Sequence, residues 1–261
     1  MNDFSNFKMS DLIELGSILR RLGTNAKSME EAARRIVNCL NDNLTTRSTE
    51  TGKAFALVRF FKTHPFGTLD PELRESAKSI LKDHSVSSEM KCLTLLASAG
   101  ENPNWNSRKN SAGHKAIPLP NEEFVIQFPM ISQLVNQFGL KVSDVLRPNP
   151  KMILELEQKT YNVFHVSDAL GSPIIPAQKT FVEPYGIKSV LGFGSVLPSG
   201  DIFAVIMFSK IHISHEIADL FKSLALSVKM AVMPFSAGVI FENQTQSANA
   251  SEQDFQQRIT G

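Results

Sequence analysis

The pattern of hydrophobic positions is clearest in the C-terminal third of the chain. Residues 187–196 and 202–209 are apolar segments rich in β-branched and aromatic residues, and the turn-forming residues 197–201 separate them. From Ser214 onwards, apolar residues recur at the i, i+3, i+4 spacing of an amphipathic helix. Ser214 is a typical N-cap residue, and Pro234 ends the pattern. The sequence therefore predicts a β-hairpin followed by a helix.

The first hundred residues predict helices and strands in alternation. Leucine and isoleucine occupy one face of the first helix, and a serine begins a capping box at the second. Both strand segments are apolar enough to be buried. The predicted segments are helices at 10–22 and from Ser28, strands at 54–61 and 90–98, and a short helix beginning at Asp70-Pro71.

The middle of the chain, about residues 99–178, predicts loops and short helices inserted between strands. Residues 99–116 are polar and rich in Gly, Asn and Ser, which is typical of a long loop. A helix capped by Asn121 is predicted to break or kink at Pro129, and residues 161–166 predict a short strand. Helices and strands in this order are typical of an α+β fold in which helices flank an antiparallel sheet.

The composition narrows the class of protein. The 261 residues are 42% hydrophobic, which suits a packed core, and the net charge of +1 gives no general attraction to nucleic acid or anionic membrane. The N-terminus lacks the apolar stretch of a signal peptide, and no apolar run is long enough to cross a bilayer. We expect a cytoplasmic protein without nucleic-acid or membrane partners.

The order of elements and the C-terminal third resemble a GAF-type sensory domain. The closest resemblance is to GAF-like modules that precede bacterial histidine kinases, diguanylate cyclases and nucleotide cyclases. The phrases that carry it are Trp105-Asn106-Ser107-Arg108, His114-Lys115-Ala116-Ile117-Pro118-Leu119, Phe164-His165-Val166-Ser167-Asp168, Gly186-Ile187-Lys188-Ser189-Val190-Leu191, Leu191-Gly192-Phe193-Gly194, Gly200-Asp201-Ile202-Phe203-Ala204-Val205 and the helix from His215-Glu216 to Ala231.

The resemblance implies a GAF-like antiparallel sheet flanked by helices, with the N- and C-terminal helices packed on one side. It places the domain at residues 10–235, after a flexible N-terminus at 1–9 and before a polar tail or severed linker at 236–261. The implied function is that of a non-enzymatic bacterial module, which binds a small molecule and relays the change through its terminal helices to an output domain or partner. Two alternatives stay open: a ligand-free dimerisation module, and a haem-type gas or redox sensor.

The resemblance also implies a homodimer formed by the terminal helices. Apolar residues exceed what one buried face of each helix needs, which suggests a second contact surface. The residues expected to form it are Leu12, Leu15, Leu19 and Leu22 of the first helix and Phe221, Met230 and Met233 of the last.

Six residues are candidates for a ligand pocket between the sheet and the loops 99–116 and 167–178. The polar candidates lie in loops or at a strand end, where binding groups are commonly mounted, and a phenylalanine would form the apolar floor. They are Trp105, Arg108, His114, His165, Asp168 and Phe193. Each also has an ordinary structural explanation, such as a hydrogen-bonded core histidine or a tryptophan that anchors a solvated loop.

Catalytic and metal sites are not predicted. There is no GxSxG motif, His212 and His215 have no third metal ligand near them in the sequence, and Cys39 and Cys92 lie far apart without a CxxC pattern. The cofactor is left unknown, and a haem would have only His165 or His114 as its axial ligand.

Overall fold

The computed structural model describes residues 3–82, 85–111, 114–148 and 161–242, and an antiparallel sheet forms the centre of this part. The strands are β1 (Phe55–Pro65), β2 (Lys91–Gly100), β3 (Ala116–Leu119), β4 (Phe164–Val166), β5 (Ser189–Val196) and β6 (Ile202–Ser209). The described sheet has six strands in the order β3-β2-β1-β6-β5-β4, and every neighbouring pair is antiparallel. The predicted α+β class, with an antiparallel sheet flanked by helices, is confirmed.

The helices begin where the sequence places their caps. They are α1 (Met9–Arg21), α2 (Met29–Asn43), α3 (Pro71–Leu81), α4 (Glu122–Ile126), α5 (Pro129–Gln137), α6 (Val142–Leu146), α7 (His215–Leu220) and α8 (Leu224–Val232). The side chains of Ser28, Asp70 and Ser214 each accept a hydrogen bond from the backbone N–H three residues later. These bonds satisfy N–H groups that the first helical turn leaves unpaired.

Two predicted helices are divided in the structure. The predicted kink at Pro129 is a break between α4 and α5, since proline cannot donate a backbone hydrogen bond. The single helix predicted after Ser214 contains a 3₁₀ turn, Phe221–Ser223, between α7 and α8. A π-helical turn, Gln178–Val182, leads into the final hairpin.

The sheet has two covered faces. The helix face carries alternate β1 residues such as Val58 and Phe60, and α1, α2 and α8 pack over it. The loop face carries the intervening residues such as Leu57 and Phe61, and residues from α4, α5, α6 and the segment 161–187 cover it. Alternation of side chains along each strand therefore sends neighbouring residues into two separate cores.

Helices α1 and α8 pack closely on the helix face, as predicted for the terminal helices. Gly16 of α1 lies against Leu224 and Ser227, and Gly23, just beyond α1, lies against the carbonyl group of Ala231. Glycines at both places let the two backbones approach more closely than larger residues would allow.

The packed fold extends beyond the predicted bounds of 10 and 235. Phe4 and Phe7 are buried in the helix-face core, so the described part of the segment 1–9 belongs to the fold. At the other end, the carbonyl groups of Val239 and Ile240 accept hydrogen bonds from the first N–H groups of α2. The polar tail from residue 243 onwards lies outside the described residues.

The residues predicted for a dimer contact are mostly used inside the chain. Leu12, Leu15, Leu19 and Phe221 are buried, because the leucine stripe of α1 packs against the same core as α8. Met230 and Met233 remain exposed as predicted. Other large apolar residues exposed on α1 and α8 are Met9, Ile13 and Leu226. Among the described helices, none is long and apolar enough to span a bilayer.

Candidate functional site

Trp105 lies over the loop face at one end of β2. It belongs to the 3₁₀ turn Pro103–Asn106, which the side chain of Asn102 caps. Its ring is 4.4 Å from the ring centroid of Tyr185 and 5.5 Å from that of Phe181. The space that a side chain at Gly100 would occupy is taken by the tryptophan ring. Through these ring contacts, Trp105 packs the start of the loop 101–115 against the segment that contains Phe181 and Tyr185.

Arg108 reaches the helix face instead. Its Nε lies 2.6 Å from Glu30 Oε1 at the start of α2, and its Nη2 lies 3.4 Å from Asp70 Oδ2. Its guanidinium carbon is 5.2 Å from the centre of the Phe241 ring. Burial disfavours its charge, but Glu30 and Asp70 outweigh that effect and raise the pKa of Arg108.

An open cavity of about 210 Å³ lies beside Arg108. Glu30 and Arg34 of α2, residues 96–98 of β2, residues 106–109 and Glu242 form its walls. Arg34 is also paired with Glu242 at 2.6 Å. The charges along this cavity are thus largely neutralised by partners within the chain.

His165 and Asp168 contact different partners and not each other. His165 lies 3.0 Å through its Nε2 from the carbonyl oxygen of Ile213, and burial lowers its pKa. Asp168 is exposed, accepts a hydrogen bond from Ser167, and lies 3.6 Å from His212. The strand places the His165 ring beside Ile213, whereas Asp168 lies beyond the strand end and faces solvent.

Phe193 is buried in the helix-face core. It pairs with Val205 across the hairpin, and its ring centroid is 6.0 Å from that of Phe221. Its neighbours Gly192 and Gly194 lack side chains at positions that Ile206 and Phe138 occupy on the loop face. The glycines thus allow close packing by the protein itself.

The six predicted residues do not meet in one cavity within the described part of the chain. Trp105 lies over the loop face, whereas Arg108 and Phe193 belong to the helix face. His114 is exposed in the loop before β3 and has a positive φ of 55°. Trp105 and Arg108 are separated because the chain between them passes from one face of the sheet to the other. A ligand contact by any one of the six stays a prediction.

The structure adds a residue that sequence reasoning missed, Arg59 on the loop face. It lies in β1 between Leu57 and Phe61, directly opposite Ser98 of β2. Its Nη2 donates a hydrogen bond of 2.9 Å to Ser111 Oγ, while its buried Nε has no partner among the described residues. Burial lowers the pKa of Arg59 to about 10. The sequence feature that could have pointed to Arg59 is that it is the one charged residue in the otherwise apolar strand segment 54–61.

A second polar cluster is buried near the end of β1. Lys62 and Lys91 lie 2.8 and 2.6 Å from the carboxylate of Asp201. Burial raises the pKa of Asp201, but the two lysine charges outweigh it and lower the pKa to about 2. His64, two residues from Lys62, packs its ring against Phe241. The cluster joins β1 and β2 to the hairpin turn before β6, which indicates a structural role.

The geometry does not fit an axial haem ligand at His165. Coordination through Nε2 would require breaking its contact with Ile213, and the ring also faces His215 at a centroid distance of 6.1 Å. His114 is exposed, whereas a haem needs a large apolar slot around its ligand.

Comparisons with known proteins agree with the architecture. No protein-family model and no curated protein match the chain. Among solved structures, it is similar to the GAF domain of a phosphoenolpyruvate-protein phosphotransferase (ptsP) from Coxiella burnetii, with 12% identity, 87% of this chain and 95% of that chain covered, and a TM-score of 0.42.

Two further solved structures show the same degree of likeness. A phycocyanobilin-bound GAF domain of a cyanobacterial phytochrome has 8% identity, coverage of 88% and 96%, and a TM-score of 0.40. The N-acylhomoserine lactone dependent LuxR family transcription factor CepR2 from Burkholderia cenocepacia has 10% identity, coverage of 87% and 98%, and a TM-score of 0.38. The likeness is one of fold alone.

Proposed function

We propose that this protein is a non-enzymatic regulatory module that binds a small molecule and relays the change to a partner or output domain. The observation that supports it is the path of residues 107–111. Arg108 of this segment is tied to Glu30 on the helix face, and Ser111 is tied to Arg59 on the loop face. A ligand that moves one end of the segment therefore acts on the other.

The helix-face end of this path touches the last described residues of the chain. Phe241 packs against both Arg108 and His64. The backbone N–H of Glu242 donates to Glu30 Oε2, the carboxylate that also contacts Arg108. A shift of Arg108 would thus change how the segment 239–242 is held on α2. This connection is the proposed route of the signal.

The homodimer belongs to the same proposal, with a revised surface. Leu226 and Met230 of α8 and Met233 just beyond its end follow one another at i, i+4 and i+7, and they are 59%, 43% and 42% exposed. Ile13 of the adjacent α1 is 67% exposed. If a second copy of the chain packs on these helices, a change in the packing of α1 against α8 would directly alter the contact between the two copies.

The test begins with freshly purified protein. Native mass spectrometry and an absorption spectrum show any bound molecule, and a thermal-shift screen of a metabolite library then finds others. For a molecule that binds, hydrogen exchange is measured with and without it. We expect changed exchange in residues 107–111 and 239–242 together, because Arg108 links the two segments.

Three other outcomes would contradict the proposal or favour one of its alternatives. Exchange changes confined to the binding site would contradict the relay. A Soret band would favour the haem-type sensor. A protein that carries no extra mass, responds to no library member and still dimerises would be a ligand-free interaction module, and the proposal would be abandoned.

A further inference from the structure

Arg59 and Arg108 differ in how their charges are compensated. Arg108 contacts the carboxylates of Glu30 and Asp70, which compensate its charge. Arg59 takes part in no ion pair among the described residues, and its hydrogen-bond partner is the neutral hydroxyl of Ser111. An arginine remains protonated in a protein, so its charge needs a partner when it leaves water.

Unused hydrogen-bonding groups lie together at Arg59. Its Nε is inaccessible to solvent and unpartnered in the described structure. The same holds for the hydroxyl of Ser98, a residue that is 3% exposed and directly opposite Arg59 on the neighbouring strand. Opposite residues of an antiparallel pair share a face, with their Cβ atoms about 5 Å apart. Two unsatisfied groups thus point to the same side of the sheet.

From this juxtaposition we infer an anion subsite formed by Arg59 and Ser98, which takes the carboxylate or phosphate group of a small molecule. A guanidinium binds such groups through parallel N–H donors, and a serine hydroxyl adds a further donor. A water molecule or a neutral amide would satisfy the hydrogen bonds but would leave the charge uncompensated.

The surroundings indicate what the rest of the ligand is like. Gly100 lies two residues beyond Ser98, roughly 7 Å along the strand on the same face, and Trp105 covers it. Phe181 and Phe208 extend this aromatic surface, with ring centroids 4.9 Å apart. An anion held at Arg59 can therefore carry an apolar or planar group that packs toward Trp105.

Trp105 makes the subsite measurable, because it is the only tryptophan of the chain. Its fluorescence is followed during titration with inorganic phosphate, acetate and phenylacetate at constant ionic strength set with chloride. We expect a saturable change with at least one of these anions, and tighter binding of phenylacetate than of acetate if the aromatic surface contributes. Phosphate and the carboxylates together distinguish the two anion classes.

Arg59→Met removes the charge and keeps most of the side-chain length, and Arg47→Met makes the same change at an exposed position. We expect roughly tenfold or greater weakening in Arg59→Met, since charge-assisted hydrogen bonds are lost, and unchanged binding in Arg47→Met. Ser98→Ala keeps the charge and should bind severalfold more weakly.

The thermal stability of the anion-free variants gives an independent check. Arg59→Met should be at least as stable as the wild type, because it removes an uncompensated charge. The inference is overturned if none of the three anions alters Trp105 fluorescence, if Arg59→Met binds like the wild type, or if it unfolds readily. This subsite rests on the proposed function, yet a metabolite that still binds Arg59→Met would refute the subsite and leave the proposed function standing.

Discussion

At the residue scale, the buried polar groups of β1 divide by face. Lys62 and His64 point to the helix face, where Asp201 compensates the lysine, whereas Arg59 points to the loop face and has no carboxylate among its described contacts. One strand therefore holds a compensated charge and an uncompensated one only three residues apart. The compensated group joins β1 to the hairpin turn, and the uncompensated group is the one on which the inferred anion subsite rests.

His64 gives the stability of this protein a specific pH dependence. Burial, followed by the charge of Lys62, lowers its pKa from 6.5 to about 3, while Asp201 raises it by less. Between these values the unfolded chain binds a proton that the folded chain does not. Stability should therefore fall as the pH drops from about 6.5, by roughly 1.4 kcal/mol per pH unit from this group.

The variant His64→Phe should remove that contribution to the slope. The measurement is the free energy of unfolding by urea between pH 7 and pH 4.5. The lowered pKa of Asp201 affects stability mainly at lower pH than this. His212→Phe, at an exposed histidine, is the matched control and should keep the wild-type slope. Equal slopes for His64→Phe and wild type would show that His64 is protonated in the folded state.

At the element scale, the contact of α1 with α8 depends on two glycines that should differ in their tolerance of a methyl group. A Cβ at Gly23 would overlap the carbonyl oxygen of Ala231, which belongs to the α8 backbone. A Cβ at Gly16 would meet Ser227 Oγ at 3.2 Å, which is the end of a side chain that can rotate.

We expect Gly23→Ala to destabilise the fold by roughly 1–3 kcal/mol, because backbone must move to relieve the overlap. Gly16→Ala should lie within about 1 kcal/mol of the wild type, since alanine is the better helix former there. Chemical denaturation measures both. If the two variants lose similar amounts of stability, the backbone contact at Gly23 is no tighter than the side-chain contact at Gly16, and the prediction is wrong.

At the scale of the whole molecule, the exposed apolar surface on α1 and α8 predicts a dimer. Leu226→Glu combined with Met230→Glu places charges in that surface and should yield the 28.9 kDa monomer. Leu170→Glu, at a residue 65% exposed in a loop elsewhere, should leave the dimer intact. Light scattering at micromolar concentration decides between these outcomes. A wild-type protein that is already monomeric would contradict the proposed interface.

Most helices and strands of this protein are predictable from local patterns in its sequence. Periodicity located α1, α2 and the strands of the hairpin, and local capping chemistry located the starts at Ser28, Asp70 and Ser214, because these signals act over a few neighbouring residues. The break at Pro129 was equally local. These features needed no knowledge of distant contacts.

Contacts between distant residues could not be predicted in this way, because they depend on how the elements pack together. Trp105 and Arg108 are three positions apart and yet reach opposite faces, while Arg59 and Ser111, separated by 52 positions, form a hydrogen bond. Likewise, the leucines of α1 are buried because α8 and the sheet cover them, which no periodicity in α1 could specify. Side-chain patterns show that a helix or strand has a buried face, but the partner of that face depends on sheet order and on how each loop crosses the sheet end.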